Sequence, residues 1–401
     1  MQKFSLAILL IILLGFTLLF NLYFNFNSPF SDLAWSFLHG KVYFIEKIVS
    51  PDLIFFHNHY YWHMPPLPAI ILMPFIFIFK IKVTQGWINL LLNLILFGLI
   101  YYLAHKKFNF SKINSIWLAV LYLFSSVHIN LVIFPNAWSF AQTVSTFLIF
   151  LSLLEFFSKK RYWLIGILVG LVFLNRYLAG LVAIFYLLDI FFEQEKWQKK
   201  IRQSAQFLVP IFFCGLIILG YNYLRFSNPL TTGYKLTWFN QHYYAFSTDG
   251  QFNLKYIPTN LYYYFLESFR PNYLPVLPGQ NTHQLAFPSI VPYQRGSLSF
   301  FIISPLFLLL FKADYRKKIN KQLLATAFII LYILLCYYYN GHYQIGPRYF
   351  NDFLPLLFII LLSYFQNKEF SNYYKLIIII SIFLNFYIGV YLLANTDLLR
   401  I

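Results

Sequence analysis

The charged residues of this sequence that could do chemistry are few, and three of them stand where apolar runs end. Asp32, in SPFSDLAWSFLHG, follows the first apolar run, and a carboxylate there can act as a general base or orient a hydroxyl. Arg176 and Arg348 follow later apolar runs, and a guanidinium binds phosphate oxygens through two parallel hydrogen bonds. These residue types could supply a general base and an anion-binding site.

Each of these three residues also has a structural interpretation. Aspartate is a favoured N-cap, so Asp32 could cap the helix that follows it. Arg348 could pair with the nearby Asp352 or extend toward lipid headgroups. Arg176 lies at the tip of a hairpin whose arms are short for a full membrane crossing. Because an arginine within a membrane is costly, that tip either lies at a thinned bilayer edge or binds phosphate or substrate in a cavity.

The composition predicts a polytopic membrane protein. The chain has 401 residues, of which 60% are hydrophobic and 11% charged, whereas an average soluble domain is about 25% charged. Apolar runs such as Leu6–Phe20 and Leu376–Leu393 recur from end to end, and the longer runs can cross about 30 Å of hydrocarbon. The first run is too long for a cleaved signal peptide, and no small-residue cleavage site follows it.

The formal net charge of +17 comes mainly from short basic clusters between apolar runs, such as HKKFNFSK, SKKR and KADYRKKINK. Such clusters are typical of the cytoplasmic loops of membrane proteins. A nucleic-acid-binding protein would instead collect its basic residues on one soluble face, so we expect no nucleic-acid partner. Cys214 and Cys336 lie inside apolar runs and form neither a disulfide framework nor a metal-binding pattern.

The sidedness of the loops depends on the stretch HNHYYWHMPPLPAIILMPF, residues 57–75. If the apolar run in this stretch does not cross the membrane, the basic clusters between residues 106 and 375 all fall on the cytoplasmic side, as the positive-inside rule requires. The run is also short and contains prolines. We therefore predict an interfacial helix over residues 66–82 on the outer side, anchored by Tyr61 and Trp62.

The predicted fold is an all-α polytopic membrane protein with one integral membrane domain over residues 1–401. The N-terminus lies inside, the C-terminus lies outside, and two long outer loops cover residues 25–84 and 226–297. The eleven predicted spans are 4–24, 85–104, 114–134, 137–157, 161–175, 177–192, 206–225, 298–312, 322–339, 350–365 and 375–394.

The second outer loop is rich in aromatic residues, and its segment 258–270 is predicted to form a helix on the outer surface. Aromatic rings stack on sugar faces, but they also form belts at membrane interfaces, and we favour the belt. The aromatic residues concerned are Trp238, Phe239, Tyr243, Tyr244, Tyr262, Tyr263, Tyr264 and Phe265.

The first outer loop resembles a known family. An aspartate shortly after the first span, a short helix containing Ala34 and reaching Gly40, and then Pro-Pro-Leu at 65–67 before an interfacial helix resemble the GT-C glycosyltransferases. These include the protein O-mannosyltransferases and the aminoarabinose transferases. Several relatives have Lys or His directly before Pro-Pro, whereas here Met64 holds that position and His63 precedes it.

Two later stretches are similar to bacterial sequences of the same type: YNYLRFSNPLTTGY at 221–234 and YNGHYQIGPRYFNDFLPLL at 339–357. The resemblance implies a sugar donor linked to dolichyl or polyprenyl phosphate, and it implies that Asp32 is the catalytic carboxylate. Arg348, with Tyr349 beside it, and Arg176 would then bind the departing phosphate. A strong general acid is not required, because phosphate is already a good leaving group.

Three histidines, His57, His59 and His63, invite a metal-site interpretation that Glu46 or Asp52 could complete. Their spacing suits no single helix face, and no cysteine joins them. We therefore expect that no divalent metal is needed. We assign His59, His63, Glu46 and Asp52 to substrate binding, through hydrogen bonds to acceptor sugars or headgroups.

The sequence thus predicts a glycosyltransferase in the cell membrane that acts on the extracytoplasmic side, with Asp32 as base. No predicted cytoplasmic loop is long enough for a βαβ unit of about 30 residues, which excludes a cytosolic nucleotide-binding domain. The expected partners are a polyprenyl-phosphate sugar donor, a glycan, lipid or protein acceptor, and membrane lipids. The alternatives are a transporter or flippase for a lipid-linked saccharide and a non-catalytic membrane scaffold.

Overall fold

Helices dominate the fold and account for 72% of the structure. A large hydrophobic cluster connects nearly all of the helices. Two small two-stranded sheets are additions that the all-α prediction lacked. The computed structural model describes residues 2–23, 28–46, 48, 50, 52–80, 83–242, 248–273, 285–292, 298–341, 344–366 and 368–395.

The α-helices of the described residues are numbered here in chain order. They are α1 (Gln2–Leu18), α2 (Pro29–Leu38), α3 (Leu67–Phe79), α4 (Gln85–Tyr102), α5 (Lys112–Phe124), α6 (Ile129–Ile133), α7 (Ala137–Phe156), α8 (Tyr162–Asn175), α9 (Ala183–Phe192), α10 (Trp197–Phe226), α11 (Trp238–His242), α12 (Ile257–Phe265), α13 (Phe300–Ile303), α14 (Lys318–Leu335), α15 (Leu354–Phe365) and α16 (Asn372–Asn395).

Shorter elements complete the fold. The 3-10 helices are Ala179–Val182, Tyr234–Leu236, Leu254–Tyr256, Pro305–Lys312 and Arg348–Asp352, and the π-helical turns are Leu19–Tyr23 and Leu103–Lys107. The strands are β1 (Leu53–Phe56), β2 (His59–Trp62), β3 (Arg270–Tyr273) and β4 (Leu285–Val291).

Within the part of the chain that the structure describes, five helices are long and apolar enough to cross a membrane. Six shorter apolar helices accompany them, so the predicted count of eleven spans is not confirmed. The five long helices are Gln85–Lys107, Ala137–Phe156, Trp197–Phe226, Lys318–Leu335 and Asn372–Ala394. The shorter ones are Leu6–Leu22, Leu67–Phe79, Lys112–Phe124, Tyr162–Asn175, Ala179–Phe192 and Leu354–Phe365.

The predicted span 114–134 is interrupted between α5 and α6. The hydroxyl of Ser126 donates back to the carbonyl of Tyr122 at 2.5 Å, a local bond that competes with a continuing helix. The backbone N–H of Val127 instead donates to Ser304 Oγ at 3.0 Å, so a neighbouring segment satisfies it. A break among buried polar residues therefore replaces the predicted continuous helix.

Three further predicted spans are only partly α-helical. The span 177–192 begins with a 3-10 helix before α9, 298–312 consists of α13 and a 3-10 helix, and 350–365 begins in another 3-10 helix. Pro305 and Pro355 lie in the first turns of the helices that follow these breaks, where the fixed φ of proline favours a helix start. Proline positions thus account for part of the departure from the predicted spans.

The first outer loop contains a β-hairpin that was not predicted. Strands β1 and β2 pair antiparallel, and His57 and Asn58 form the turn with φ of 45° and 62°. Positive φ at both central residues is the geometry of the tight hairpin turns that follow strand twist, and Asn tolerates it well. Aromatic residues on both strands, with Ile54 on β1, then favour extended pairing over a helix.

The predicted interfacial helix corresponds to α3, which ends where Lys80 adopts a left-handed conformation. Residues 81 and 82 of the predicted range lie outside the described residues. The helix packs against α2, and its Pro68 and Pro74 mark it as irregular. Its position relative to a membrane stays a prediction.

Helices α8 and α10 pack against each other extensively, and glycines make their close approach possible. A Cβ at Gly166 would lie 2.3 Å from the carbonyl oxygen of Phe207, and one at Gly170 would lie 2.8 Å from Cys214 Sγ. The motif GILVG thus acts as a small-xxx-small face that lets two backbones meet. The contact holds α8 against α10, and Arg176 directly follows the last residue of α8.

The second outer loop is less helical than predicted. Its segment 258–270 forms α12 only as far as Phe265, and Arg270 begins β3, which pairs with β4 through an irregular register. Of the predicted aromatic belt, Tyr243 and Tyr244 lie outside the described residues. Tyr262 is 44% exposed, whereas Tyr264 is 1% exposed.

Candidate functional site

The predicted site residue Arg176 forms a two-pronged ion pair with Asp352. Arg176 Nε and Nη2 donate to the two carboxylate oxygens at 2.9 and 2.8 Å. The Asp352 side chain is 1% exposed and that of Arg176 15%. Burial alone would lower the pKa of Arg176, but the Asp352 carboxylate outweighs it and raises that pKa, so Arg176 is charged.

The two partners come from two helix breaks. Arg176 directly follows the last residue of α8 in an extended conformation, and Asp352 ends the 3-10 helix that precedes α15. The alternative interpretation in which Asp352 pairs with Arg348 is therefore wrong. A 3-10 helix places residues three apart, rather than four apart, on one face, so Asp352 points away from Arg348 and toward α8.

Arg348 is held at its backbone while its guanidinium has no acidic partner among the described residues. Its carbonyl accepts from Gln142 Nε2 at 3.0 Å and from Asn351 Nδ2 at 2.9 Å. The guanidinium carbon lies 5.6 Å from the ring centre of Trp138 and 5.1 Å from that of Tyr349. Arg348 Nε is buried and makes no hydrogen bond within the described part of the chain. The result is a positioned cation that can accept an anion.

A tyrosine cluster extends from Arg348 toward the outer loops. The rings of Tyr349 and Tyr337 lie 6.0 Å apart, and the hydroxyl of Tyr337 is hydrogen-bonded to that of Tyr234. The hydroxyls of Tyr234 and Tyr338 are 3.4 Å apart, and Tyr338 donates to the side chain of Asn240. Segments from the second outer loop and from the chain before α15 thus meet beside the two arginines.

His63 and Asp52 join this cluster from the first outer loop. The ring of His63 lies 5.7 Å from that of Tyr234, and its Nδ1 is 3.2 Å from the backbone carbonyl of Asp52. Burial lowers the pKa of His63, and the Asp52 charge offsets this only in part. His63 is therefore neutral, with Nδ1 donating to the carbonyl and Nε2 left as an acceptor.

His57, His59 and Glu46 are exposed. His59 stacks on the ring of Tyr43, with centroids 3.9 Å apart and planes 10° from parallel. Among the residues that the structure describes, no three His, Cys, Asp or Glu side chains come together as a metal site. The substrate-binding roles of His59 and Glu46 stay predictions.

Asp32 lies in the first turn of α2 and is half-buried. The helix begins at Pro29 with Ser28 in the N-cap position, so the interpretation of Asp32 as the cap is wrong. Phe30 of the same turn contacts the ring of Phe140 on α7, the helix that also carries Gln142. The described contacts thus connect Asp32 with the Arg348 region through its helix, and its role as a base stays a prediction.

Arg225 is a site-flanking residue that sequence reasoning missed. It is 2% exposed, donates to the carbonyl of Trp62 at 2.5 Å and to Asn222 Oδ1 at 2.6 Å, and stacks 4.0 Å from the ring centre of Tyr221. It fastens the first outer loop to the end of α10, next to His63. An arginine inside the apolar end of a long helix was the signal that could have identified it.

A second missed feature is a chain of buried amides behind Arg348. His128 Nδ1 lies 3.2 Å from Asn351 Oδ1 and Nε2 lies 3.0 Å from Asn93 Oδ1. Asn93 in turn donates to the carbonyl of Asn89 at 2.9 Å. Because Asn351 also donates to the Arg348 carbonyl, this chain braces the 3-10 helix that carries Arg348.

Comparisons with known proteins leave the class of this chain open. No protein-family model and no curated protein matches it. Among solved structures, the apo oligosaccharyltransferase of Archaeoglobus fulgidus is similar with a TM-score of 0.48 and 13% sequence identity. The similarity covers 97% of this chain and 55% of that one, so this chain spans about half its length. A likeness of this size identifies neither the family nor the activity of this chain.

Proposed function

We propose that this chain is an integral membrane glycosyltransferase of the GT-C type. It transfers a sugar from a polyprenyl-phosphate donor to an acceptor on the extracytoplasmic side. The observation that carries the proposal is Arg348, a cation beside two aromatic rings with a buried Nε that lacks an acceptor among the described residues. A phosphate oxygen is the ligand that such a guanidinium binds best.

The proposed reaction is a displacement at the anomeric carbon of the donor sugar. Asp32 takes the proton of the acceptor hydroxyl as its oxygen forms the new bond. The bond between the anomeric carbon and the phosphate oxygen breaks, and its electron pair leaves with the polyprenyl phosphate. Arg348 binds the negative charge that develops on this leaving group.

The ion pair of Arg176 and Asp352 contributes orientation more than net charge. Because the two charges cancel, Arg348 is the local cation that the donor phosphate would meet. Arg176 still has guanidinium donors beyond the two used by Asp352, and these can hold a second phosphate oxygen. Tyr349 lies beside Arg348 and completes the donor side of the site.

The first outer loop is assigned to the acceptor. Neutral His63 offers Nε2 as an acceptor of a sugar hydroxyl, and Asp52 lies beside it. His59 and Glu46 are exposed nearby, where an incoming acceptor would first arrive. In this proposal arginine neutralises the leaving phosphate, and transfer is expected to persist in the presence of a chelator.

The proposal is tested by binding of farnesyl phosphate to the purified full chain. Arg348→Lys should weaken binding about 10- to 100-fold, because a lysine cannot reproduce the planar two-pronged contact. Arg161→Lys is the matched control, since Arg161 makes a similar two-pronged contact with Glu155 far from this site. Equal affinity of Arg348→Lys and the wild type would contradict the proposal.

A transporter or flippase for a lipid-linked saccharide is the second candidate. The specific observation in its favour is the interruption between α5 and α6 at buried polar residues, because transporters use broken helices at their substrate sites. The two functions differ in bond chemistry. In sealed vesicles a transporter moves the donor intact, whereas a glycosyltransferase separates the sugar from the lipid phosphate.

A further inference from the structure

Tyr264 has a buried hydroxyl without a hydrogen bond. The residue lies on α12 of the second outer loop and is 1% exposed. Its hydroxyl oxygen makes no hydrogen bond to any described residue. A buried donor without a partner is destabilising, so a native structure retains one where a ligand can satisfy it or where packing compensates.

Tyr264 packs on the 3-10 helix that carries Arg348. Its ring meets that of Phe350 edge-on, with centroids 5.3 Å apart, and Phe350 is two residues beyond Arg348 in the same 3-10 helix. Phe265 also contacts Phe350, at 5.7 Å, so two consecutive residues of α12 pack on this turn. The second outer loop therefore covers the segment that carries Arg348.

The charged groups near Arg348 also affect the Tyr264 hydroxyl. Burial raises the pKa of Tyr264 well above its usual value. Tyr349 and Asp352 raise that pKa further, whereas Arg348 lowers it. Arg348 Nε is likewise buried and without a hydrogen bond among the described residues. The Tyr264 hydroxyl and Arg348 Nε are thus two buried donors without acceptors among the described residues, one on the helix that packs on the 3-10 helix and one on the 3-10 helix itself.

We infer that the Tyr264 hydroxyl and the Arg348 guanidinium together form a pocket for a phosphate group. The hydroxyl donates to one phosphate oxygen and the guanidinium to others, which satisfies both buried donors at once. The inference rests on the proposed function and adds one point to it: a residue of the second outer loop, Tyr264, lines the phosphate site. Tyr264 is then a ligand-binding residue, in contrast to the interfacial belt that its sequence context predicts.

The test compares Tyr264→Phe with the wild type in full-length protein reconstituted in nanodiscs. Calorimetric titrations with farnesyl phosphate, farnesol and inorganic phosphate separate the headgroup from the lipid tail. Tyr264→Phe should weaken farnesyl phosphate binding about 10- to 100-fold, because a hydrogen bond to a charged group is lost. Farnesol binding and melting temperature should stay the same, since the lost hydroxyl makes no bond in the protein.

Tyr122→Phe is the matched control. The Tyr122 hydroxyl is also buried and makes no hydrogen bond in the described part of the chain, but its ring packs between Phe150 and Phe358 in the core. Removal of this hydroxyl should leave the affinity for farnesyl phosphate unchanged. If inorganic phosphate binds, and Tyr264→Phe weakens its binding by the same factor as that of farnesyl phosphate, the site recognises free phosphate. If only farnesyl phosphate binds, the site recognises the phosphate of a lipid headgroup. Both outcomes support the pocket.

The outcomes that overturn the inference are distinct from those that overturn the proposed function. If Arg348→Lys weakens binding of farnesyl phosphate and Tyr264→Phe does not, the pocket lacks Tyr264 while the proposed function survives. If neither variant changes the affinity, the phosphate site at Arg348 is itself wrong. A lower melting temperature of Tyr264→Phe with unchanged affinity would show that the hydroxyl serves the fold.

Discussion

Two arginines that follow apolar segments have opposite electrostatic situations in this molecule. Arg176 is neutralised by Asp352 through two short hydrogen bonds, whereas Arg348 faces two aromatic rings. The charge of Arg176 is balanced by Asp352 within the protein, whereas the charge of Arg348 is available to a ligand. At the residue scale this difference makes Arg348 the cation whose charge is available to a ligand, while Arg176 can offer only its remaining hydrogen-bond donors.

That difference predicts different phenotypes for two substitutions. Asp352→Asn should lower the free energy of unfolding by about 3–5 kcal/mol, because it leaves the buried charge of Arg176 without a partner. Arg348→Lys should change stability by less than about 0.5 kcal/mol while it weakens binding of farnesyl phosphate. Thermal unfolding of both purified variants in one detergent measures the contrast. Equal destabilisation by the two substitutions would mean that the charges act as one network.

His63 makes stability depend on pH in a predictable direction. Burial depresses its pKa in the folded state, so below about pH 6.5 the unfolded chain binds more protons than the folded one. Stability should therefore fall as the pH drops from 7 toward 5. His63→Asn keeps a donor for the Asp52 carbonyl and should lose this part of the dependence. A melting temperature that falls equally in both proteins would show that His63 does not contribute.

Part of the site could be predicted at this scale from sequence alone. Arg176 stands out because it lies at the tip of a short apolar hairpin, where a charge within the membrane is costly. Arg348 stands out because it lies between two predicted spans. The partner of Asp352 could not be predicted, because it comes from a helix break 176 residues away in sequence. The sequence predicts an aromatic belt that includes Tyr264. The burial of Tyr264 could not be predicted, because it depends on how α12 packs on Phe350.

At the scale of elements, the contact between α8 and α10 positions Arg176. Gly166→Ala should destabilise the protein by about 1–3 kcal/mol, because the new methyl group would lie 2.3 Å from a backbone carbonyl that cannot easily move. Gly215→Ala on α10 is the control, since a Cβ there meets nothing within 4 Å. It should be neutral or slightly stabilising. Thermal unfolding of both variants tests the close packing, and an unchanged Gly166→Ala protein would contradict it.

The elements show where sequence patterns fail. Long apolar runs identify helices well, and α4, α7, α10, α14 and α16 lie where spans were predicted. Hydropathy does not reveal where a helix breaks. A backbone N–H that loses its helical acceptor can donate to a distant side chain, as the N–H of Val127 does to Ser304 Oγ. The hairpin of β1 and β2 was missed because aromatic-rich outer loops suggest interfacial helices as readily as strands.

At the scale of the whole molecule, the sidedness of the loops is the prediction on which the site depends. Single cysteines near Lys106 and at Asn395, in a background without Cys214 and Cys336, should react differently with a membrane-impermeant thiol reagent. We expect protection near Lys106 and labelling at Asn395 in intact cells. Labelling near Lys106 would place the basic loops outside and move the proposed site to the cytoplasmic side.

The central claim is that a sugar leaves a polyprenyl phosphate at this site with Asp32 as base. The direct measurement supplies membranes that contain the protein with a panel of polyprenyl-phosphate hexoses labelled in the sugar, and follows the label. We predict that the label leaves the lipid phosphate, and that Asp32→Asn slows this transfer about 10²- to 10⁴-fold without unfolding the protein. Label that stays on the lipid phosphate with every donor, or equal transfer by Asp32→Asn, would contradict the account.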